Sequence, residues 1–209
     1  MVDMSLYAAY LVTAFALCIT PGPDMMFIVA MGGRGGPTAG VLAALGTACA
    51  MLVHTAAAAL GLSALFTTVP TLYHVLRWAG AAYLLYLAVK AFRDRGTPAG
   101  EGAAPAGPGR RRAFWQGALT NLLNPKAILF SISFLPQFVN PELGHVPGQF
   151  MVLGVTIVVM GFVVEGAIGL LSGKLSALLR RSRRVARGLN IFSGTVFTGL
   201  AVRLVATPK

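Results

Sequence analysis

Six stretches of apolar residues, separated by short polar or glycine-rich connections, make up most of this 209-residue chain. A helix needs about 20 apolar residues to cross the ~30 Å hydrocarbon core of a bilayer. Because every stretch falls near or above that length, the pattern predicts an all-α fold with six transmembrane helices. The stretches cover residues 6–31, 39–66, 69–89, 113–138, 149–171 and 189–205.

Proline interrupts the first and the fourth stretch near their centres, each time beside a charged residue. The first break is the run Thr-Pro-Gly-Pro-Asp at residues 20–24, and the second is Asn-Pro-Lys at residues 124–126. Proline lacks a backbone donor and clashes with the preceding turn, so a helix that contains it must open. In lipid, an opened backbone is tolerated only where it is buried in protein or lines a wet cavity. We therefore expect helices one and four to be broken around such a cavity.

Most basic residues fall in connections on one side of the predicted membrane, although Arg77 lies near a connection on the other side. Lys and Arg are found in the connections after the first, third and fifth stretches, whereas residues 67–70 and 139–148 contain neither. Cytoplasmic loops carry an excess of Lys and Arg, so the basic connections are predicted to be cytoplasmic and both termini to lie outside.

The chain is predicted to form one transmembrane domain over residues 1–209, made of two halves. Repeat 1 covers about 1–92, a flexible cytoplasmic linker rich in Gly, Ala and Pro covers about 93–112, and repeat 2 covers about 113–209. The first half starts outside and the second starts inside, so equivalent halves would be inverted three-helix repeats, related by a two-fold axis in the membrane plane.

Composition supports a membrane location. Hydrophobic residues make up 56% of the chain and the mean hydropathy is +0.74, whereas soluble domains contain about 45–50% apolar residues. The net charge of +11 lies in short loops beside the spans, which predicts contact with anionic lipid headgroups rather than nucleic acid. The N-terminus has no early basic region, so the first stretch is expected to remain as a helix rather than to be cleaved as a signal peptide.

The two breaks carry the predicted substrate site. A half-helix N-terminus exposes amides that suit a carboxylate, and the carbonyls freed on the other side can accept from an ammonium group. An amino acid zwitterion offers both charges, which gives Asp24 and Lys126 a role beyond the alternative of solvation at the membrane surface. The predicted substrate-binding residues are Thr20, Pro21, Gly22, Pro23, Asp24, Asn121, Asn124, Pro125 and Lys126.

His54 and Glu165 each lie on a ridge of small residues spaced four apart, which is typical of close helix contacts. Their side chains should therefore face protein or a cavity. A buried carboxyl can carry a proton, so the predicted proton-coupling residues are Glu165, Asp24 and His54. A packing role is the alternative, above all for His54. The ridges are Gly46, Ala50, His54 and Ala58 in the second stretch, and Gly161, Glu165, Gly169 and Gly173 in the fifth.

These features resemble the LysE/RhtB group of lysine and homoserine/threonine exporters. The resemblance covers essentially the whole chain: its length, its six spans, the run at residues 20–24, the run at 124–126 and the Gly46 to His54 pattern. It implies proton-driven export of amino acids or small derivatives across the bacterial cytoplasmic membrane. It also implies no enzymatic step, no cofactor and often a homodimer.

Two other functions are alternatives to amino-acid export. A metal or inorganic-cation exporter of the same architecture would need several oxygen, Cys or His ligands, and Asp24, Glu165 and His54 are scattered over three predicted helices. A thiol–disulfide relay would need cysteines in both halves, whereas Cys18 and Cys49 both lie in the first.

Overall fold

The computed structural model describes residues 2–68, 70–93 and 109–206, and every regular element within these ranges is helical. Most of the predicted linker at 93–112 lies outside the described residues. The α-helices are α1 (Met4–Ile19), α2 (Pro23–Thr68), α3 (Pro70–Arg93), α4 (Arg110–Leu122), α5 (Pro125–Leu129), α6 (Val146–Arg181) and α7 (Arg183–Ala206).

Apolar helices long enough to cross a bilayer confirm an integral membrane protein. Within the described ranges, three helical stretches meet this condition: Pro23–Gly61, Val146–Leu179 and Arg183–Ala206. The helical segments Arg110–Leu122 and Pro125–Phe138 meet at an angle of 50° and provide a fourth if they form one span. The predicted six spans are not reached by length and composition alone, and the inverted repeat stays a prediction.

Helix α2 is interrupted at Gly36, where φ is 81° and ψ is 174°. A positive φ is readily adopted by glycine because it has no Cβ, and Pro37 follows directly. The interruption divides α2 into residues 23–35, which complete the first apolar stretch, and residues 37–68, which contain the second. The connection predicted between these stretches is therefore reduced to a single non-helical residue.

The second half of the fourth stretch differs from the regular α-helix that its apolar pattern predicts. Helix α5 has only five residues, and the chain continues as a π-helical turn (Phe130–Phe134) and a 3₁₀ turn (Leu135–Phe138). Pro136 explains the change, because it cannot donate to the helical ladder and disfavours α geometry at the residue before it. The Leu135 amide bonds instead to the carbonyl of Phe130, five residues back.

Helices α2 and α6 pack most extensively and run antiparallel. Gly40 lies against Gly169 at one end of the contact and Thr55 lies against Gly154 at the other. A Cβ built on Gly40 would come within 2.6 Å of the Gly169 carbonyl oxygen. Small residues let backbones approach in this way in membrane helices, and the close crossing places one wall of the functional site.

The main apolar core draws residues from α1, α6, α7 and the chain after the second break. Tyr10 is completely buried, and its hydroxyl donates to the Leu153 carbonyl at 2.6 Å. Its ring meets Phe138 edge-on, with 5.1 Å between the ring centroids. This core joins α1 to α6 and to the 3₁₀ turn, so the broken helices are held against an intact one.

Candidate functional site

The first break has the geometry that its prolines dictate. Helix α1 ends at Ile19, and Thr20 adopts an extended conformation with φ −75° and ψ 118°, as a residue before proline should. The chain resumes helical geometry at Pro23, where the missing amide costs nothing because first-turn amides have no helical partner. The carbonyls of the last turn of α1 therefore lack the amide donors that a continuing helix would supply.

The second break is capped by its own side chain. Asn124 is extended, with φ −76° and ψ 110°, which confirms the conformation predicted from the following proline. Its side-chain oxygen accepts a hydrogen bond from the Lys126 amide at 2.9 Å. Asn124 is thus the N-cap of α5, with Pro125 in the first position.

Lys126 joins the two breaks. Its Nζ donates to the carbonyl oxygens of Leu17 at 3.1 Å and Thr20 at 3.0 Å, the last carbonyls of α1. The sequence predicts either Asp24 or these freed carbonyls as the acceptors of a substrate ammonium. In the structure the ammonium of Lys126 contacts the carbonyls.

Asp24 is held from the opposite break. Asn121 donates to its Oδ2 at 2.9 Å and Asn124 donates to the same atom at 2.7 Å. The side chain is 9% exposed. Asp24 Oδ1 and Asn121 Oδ1 are buried and have no hydrogen-bond partner among the described residues. Buried polar atoms in native proteins are nearly always paired, and both of these residues line the cavity described below.

Glu165 faces the same region from α6. The Thr47 hydroxyl, on α2, donates to Glu165 Oε2 at 2.5 Å and is itself 1% exposed. Thr47 was not among the predicted site residues. The signal that was available is weak: a hydroxyl within a stretch of Ala, Gly and Leu, whose partner appears only once α2 and α6 are paired.

His54 is placed behind the site rather than in it. Its Nε2 lies 3.2 Å from the Asn121 carbonyl oxygen, and the ring does not line the cavity described below. The small-residue face on which it was predicted is real, because Gly46 packs directly on the Phe114 carbonyl of α4. Its role in proton coupling stays a prediction.

One cavity collects the charged groups. Together with the open space at its mouth, it measures about 630 Å³. Pro21, Pro23 and Pro125 shape the breaks without lining the cavity. The polar lining residues are Thr20, Asp24, Thr47, Asn121, Asn124, Lys126 and Glu165; the others are Leu17, Cys18, Gly22, Met25, Ala48, Met51, Ala127, Phe130, Ile157, Val158, Gly161 and Phe162.

A metal site would need several His, Cys, Asp or Glu ligands close together. Among the residues that the structure describes, no three His, Cys, Asp or Glu side chains lie close enough together to hold a metal ion. What the cavity brings together is one ammonium group, two carboxyl groups and two amide side chains.

Comparison with known proteins gives the family. Residues 15–207 match the family described as LysE type translocator. The chain is 31% identical to a leucine efflux protein of Salmonella choleraesuis over 95% of its own length and 93% of that protein. It is 30% identical to an uncharacterized membrane protein of Vibrio cholerae over 99% of both chains. No solved structure is significantly similar. The chain belongs to the LysE type translocator family.

Proposed function

We propose that the protein is a secondary active exporter that moves amino acids out across the bacterial cytoplasmic membrane and is coupled to protons. The observation that carries the proposal is the cavity between the two helix breaks, which is lined by one carboxyl group at Asp24 and one ammonium group at Lys126. The relatives named leucine efflux proteins support an amino acid as the cargo.

The substrate ammonium binds at the unpaired acceptors. Asp24 Oδ1 and Asn121 Oδ1 are both buried and unpartnered within the described chain, so an ammonium group satisfies two costly acceptors at once. The charge of Asp24 strengthens these bonds, because ionised partners form the stronger hydrogen bonds.

The substrate carboxylate binds on the opposite side of the first break. The Lys126 ammonium has three N–H donors. Two of them donate to the carbonyls of Leu17 and Thr20, and the third is left for a carboxylate. First-turn amides of α2 at Asp24 and Met25 have no intrahelical acceptor, and both residues line the cavity. The positive end of the helix dipole favours the same charge.

Glu165 carries the proton, with Asp24 as the second candidate. An ionised carboxylate is expensive to hold at membrane depth, and the Thr47 hydroxyl is the hydrogen-bond partner of Glu165. Gain or loss of a proton changes the charge of the cavity beside Lys126 and Asp24. A ligand or proton shifts a conformational equilibrium by its differential affinity for the two states. His54 is proposed to act indirectly, through its contact with the Asn121 carbonyl.

The proposed topology has six spans with both termini outside. The first span joins α1 to residues 23–35, and the second is residues 37–68. The third is α3, the fourth joins α4 to residue 138, and the last two are α6 and α7. Packing of α2 on α6 and of α3 on α7 supports inverted repeats, because it pairs the second span with the fifth and the third with the sixth. Rocking of the halves about the cavity would alternate access. Contact of the basic loops with anionic lipids and assembly as a homodimer complete the proposal.

The test uses purified protein in liposomes and radiolabelled leucine, measured in two ways. Counterflow without a gradient reports binding and exchange, and accumulation under an imposed pH gradient reports coupling. Asp24→Asn is expected to lower both activities about tenfold or more, because a charged hydrogen-bond partner of the ammonium is lost. Glu165→Gln should retain counterflow and lose the response to the pH gradient.

Glu142→Gln is the matched control, because Glu142 is an exposed acid in the 3₁₀ turn Pro141–Leu143. It should leave both measurements unchanged. Wild-type activity in Asp24→Asn would show that the site assignment is wrong. A full pH response in Glu165→Gln would remove Glu165 from coupling. Wild-type liposomes that transport divalent cations but no amino acid would favour the cation-exporter alternative.

A further inference from the structure

The cavity changes from polar to apolar along α6. Five residues of this helix line it at intervals of one, three and four positions, which is one continuous face of an α-helix. Glu165 is at the polar end and Ile157 is at the apolar end, about 12 Å apart along the helix axis. The cavity-lining residues of α6 are Ile157, Val158, Gly161, Phe162 and Glu165.

The facing helix shows the same gradient. Because α2 and α6 run antiparallel, Thr47 lies opposite Glu165, and Met51 lies one turn further toward the Ile157 end. Small residues line the cavity between its polar and apolar ends: Ala48 on α2 and Gly161 on α6. The charged groups that suit a zwitterion and the apolar groups that suit a side chain therefore occupy different ends.

Two small residues, one on α1 and one on α6, approach each other where they line the cavity. Cys18 on α1 and Gly161 on α6 both line it, and a Cβ built on Gly161 would lie 3.8 Å from the Cys18 Sγ. This is ordinary van der Waals contact, so an alanine fits at residue 161 without displacing its neighbours. The added methyl group would fill the remaining space between the two helices.

We infer that Gly161 and Cys18 together set the upper size limit for the side chain of the exported amino acid, which lies in the apolar end of the cavity. The inference rests on the proposed function and names its substrate class: amino acids with uncharged aliphatic side chains. A cationic side chain would place an ammonium among Met51, Ile157 and Val158, where it finds no acceptor side chain.

The test measures half-saturating concentrations for counterflow with alanine, valine, leucine, methionine, phenylalanine and lysine. Gly161→Ala is expected to raise the value for leucine and methionine about tenfold or more, since one methyl group in an apolar pocket changes discrimination about 10- to 200-fold. The value for alanine should change by less than about twofold, because its side chain does not reach the narrowed region. Wild-type protein should require about ten times more lysine than leucine, or more.

Cys18→Ala supplies the second arm. Removal of the sulfur atom should restore leucine counterflow in the Gly161→Ala background. On its own, Cys18→Ala should lower the half-saturating concentration for phenylalanine. Gly173→Ala is the matched control on the same helix, because a Cβ there meets nothing within 4 Å and Gly173 does not line the cavity. Thermal unfolding of each variant in detergent verifies that it is folded.

The outcomes separate this inference from the proposed function. Wild-type protein that exchanges none of the six amino acids would contradict the proposed function itself. Wild-type exchange of leucine combined with an equal loss for alanine and leucine in Gly161→Ala would overturn the size limit alone. Failure of Cys18→Ala to restore leucine, or lysine exchange as efficient as leucine exchange, would also overturn it.

Discussion

The two helix breaks share an extended residue followed by proline, yet their backbone groups find partners in different ways. The second break is satisfied locally, because the side chain of Asn124 caps the Lys126 amide two residues further on. The first break is satisfied from a distance, since its carbonyls at Leu17 and Thr20 accept from the side chain of Lys126. The first break therefore depends on the second for its structure, although the two motifs look equivalent in sequence.

Each charged side chain is also held by the break to which it does not belong. Asp24 belongs to the first break but is held by two asparagines of the second. Lys126 belongs to the second but is held by main-chain atoms of the first. Each charged group is thus fixed by the opposite half of the chain, so a relative movement of the halves must change both environments together.

The largest effect is expected when this dependence is removed. Lys126→Met keeps an unbranched apolar stem but leaves the carbonyls of Leu17 and Thr20 without their charged donor. Leucine counterflow should fall about tenfold or more, and the free energy of unfolding should decrease by about 1 kcal/mol. The decrease is small because loss of the hydrogen bonds is partly offset by removal of a desolvated charge. Counterflow and thermal unfolding in detergent measure the two effects.

Lys126→Arg is the control, because arginine retains the charge and several donors. It should keep more of the stability than Lys126→Met does. Equal unfolding temperatures for wild-type protein and Lys126→Met would contradict the dependence of the first break on this side chain.

An intermediate effect should distinguish the two asparagines. Asn124→Ala removes an N-cap as well as a donor to Asp24, and a lost cap costs about 0.5–2 kcal/mol. Asn121→Ala also removes a donor to Asp24 but no N-cap, so Asn124→Ala should be the less stable variant by about 1 kcal/mol in thermal unfolding.

Asn124→Asp separates the two roles of this side chain. A carboxylate can still cap the Lys126 amide, but it cannot donate to Asp24 and places a like charge beside it. We expect stability closer to wild type than that of Asn124→Ala, together with loss of leucine counterflow. Equal stability of Asn124→Ala and Asn121→Ala would show that the cap contributes nothing.

The smallest effect concerns the other end of α1, which is capped by an ordinary surface residue. The Asp3 carboxylate accepts hydrogen bonds from the Ser5 hydroxyl, from the amides of Leu6 and Ser5, and from the Asn140 side chain. These bonds, above all the one from the Ser5 hydroxyl, lower the pKa of Asp3 to about 2. A carboxyl whose pKa is lower in the folded state stabilises the fold above its unfolded pKa of 3.8. That contribution is lost as the pH falls from about 4 toward 2.

Asp3→Asn should therefore lower the unfolding temperature slightly at pH 7 and by progressively less as the pH falls toward 2, where the Asp3 carboxylate becomes protonated. Thermal unfolding across this pH range measures the difference. A constant difference at all pH values would mean that the charge of Asp3 is not what stabilises this cap.

Local rules predicted much of the molecule. The prolines at residues 21 and 125 break their helices where the sequence indicated, and the extended conformation of Asn124 follows from its neighbour. The glycine ridge on α6 was predicted in part: Gly169 makes a backbone contact, whereas a Cβ on Gly173 would meet nothing. Spacing reveals a ridge but not how far the partner helix extends along it.

The features that the sequence did not predict depend on tertiary pairing. The bond from Thr47 to Glu165 and the bonds from Lys126 to α1 join residues more than 100 positions apart. No local preference encodes such partners. Gly36 and the π-helical turn were missed for a different reason, because apolar periodicity is insensitive to one residue of altered backbone geometry.

The contact between Gly40 and Gly169 sets the distance between two walls of the solute chamber by main-chain atoms alone. A side chain at either residue would wedge the helices apart and pull Thr47 from Glu165. Gly154 against Thr55 and Gly32 against Ser172 hold the same spacing, so it is residues outside these contacts that can be replaced without changing it. Substitutions of cavity-lining residues can therefore change which amino acid is preferred while the distance between α2 and α6 stays the same.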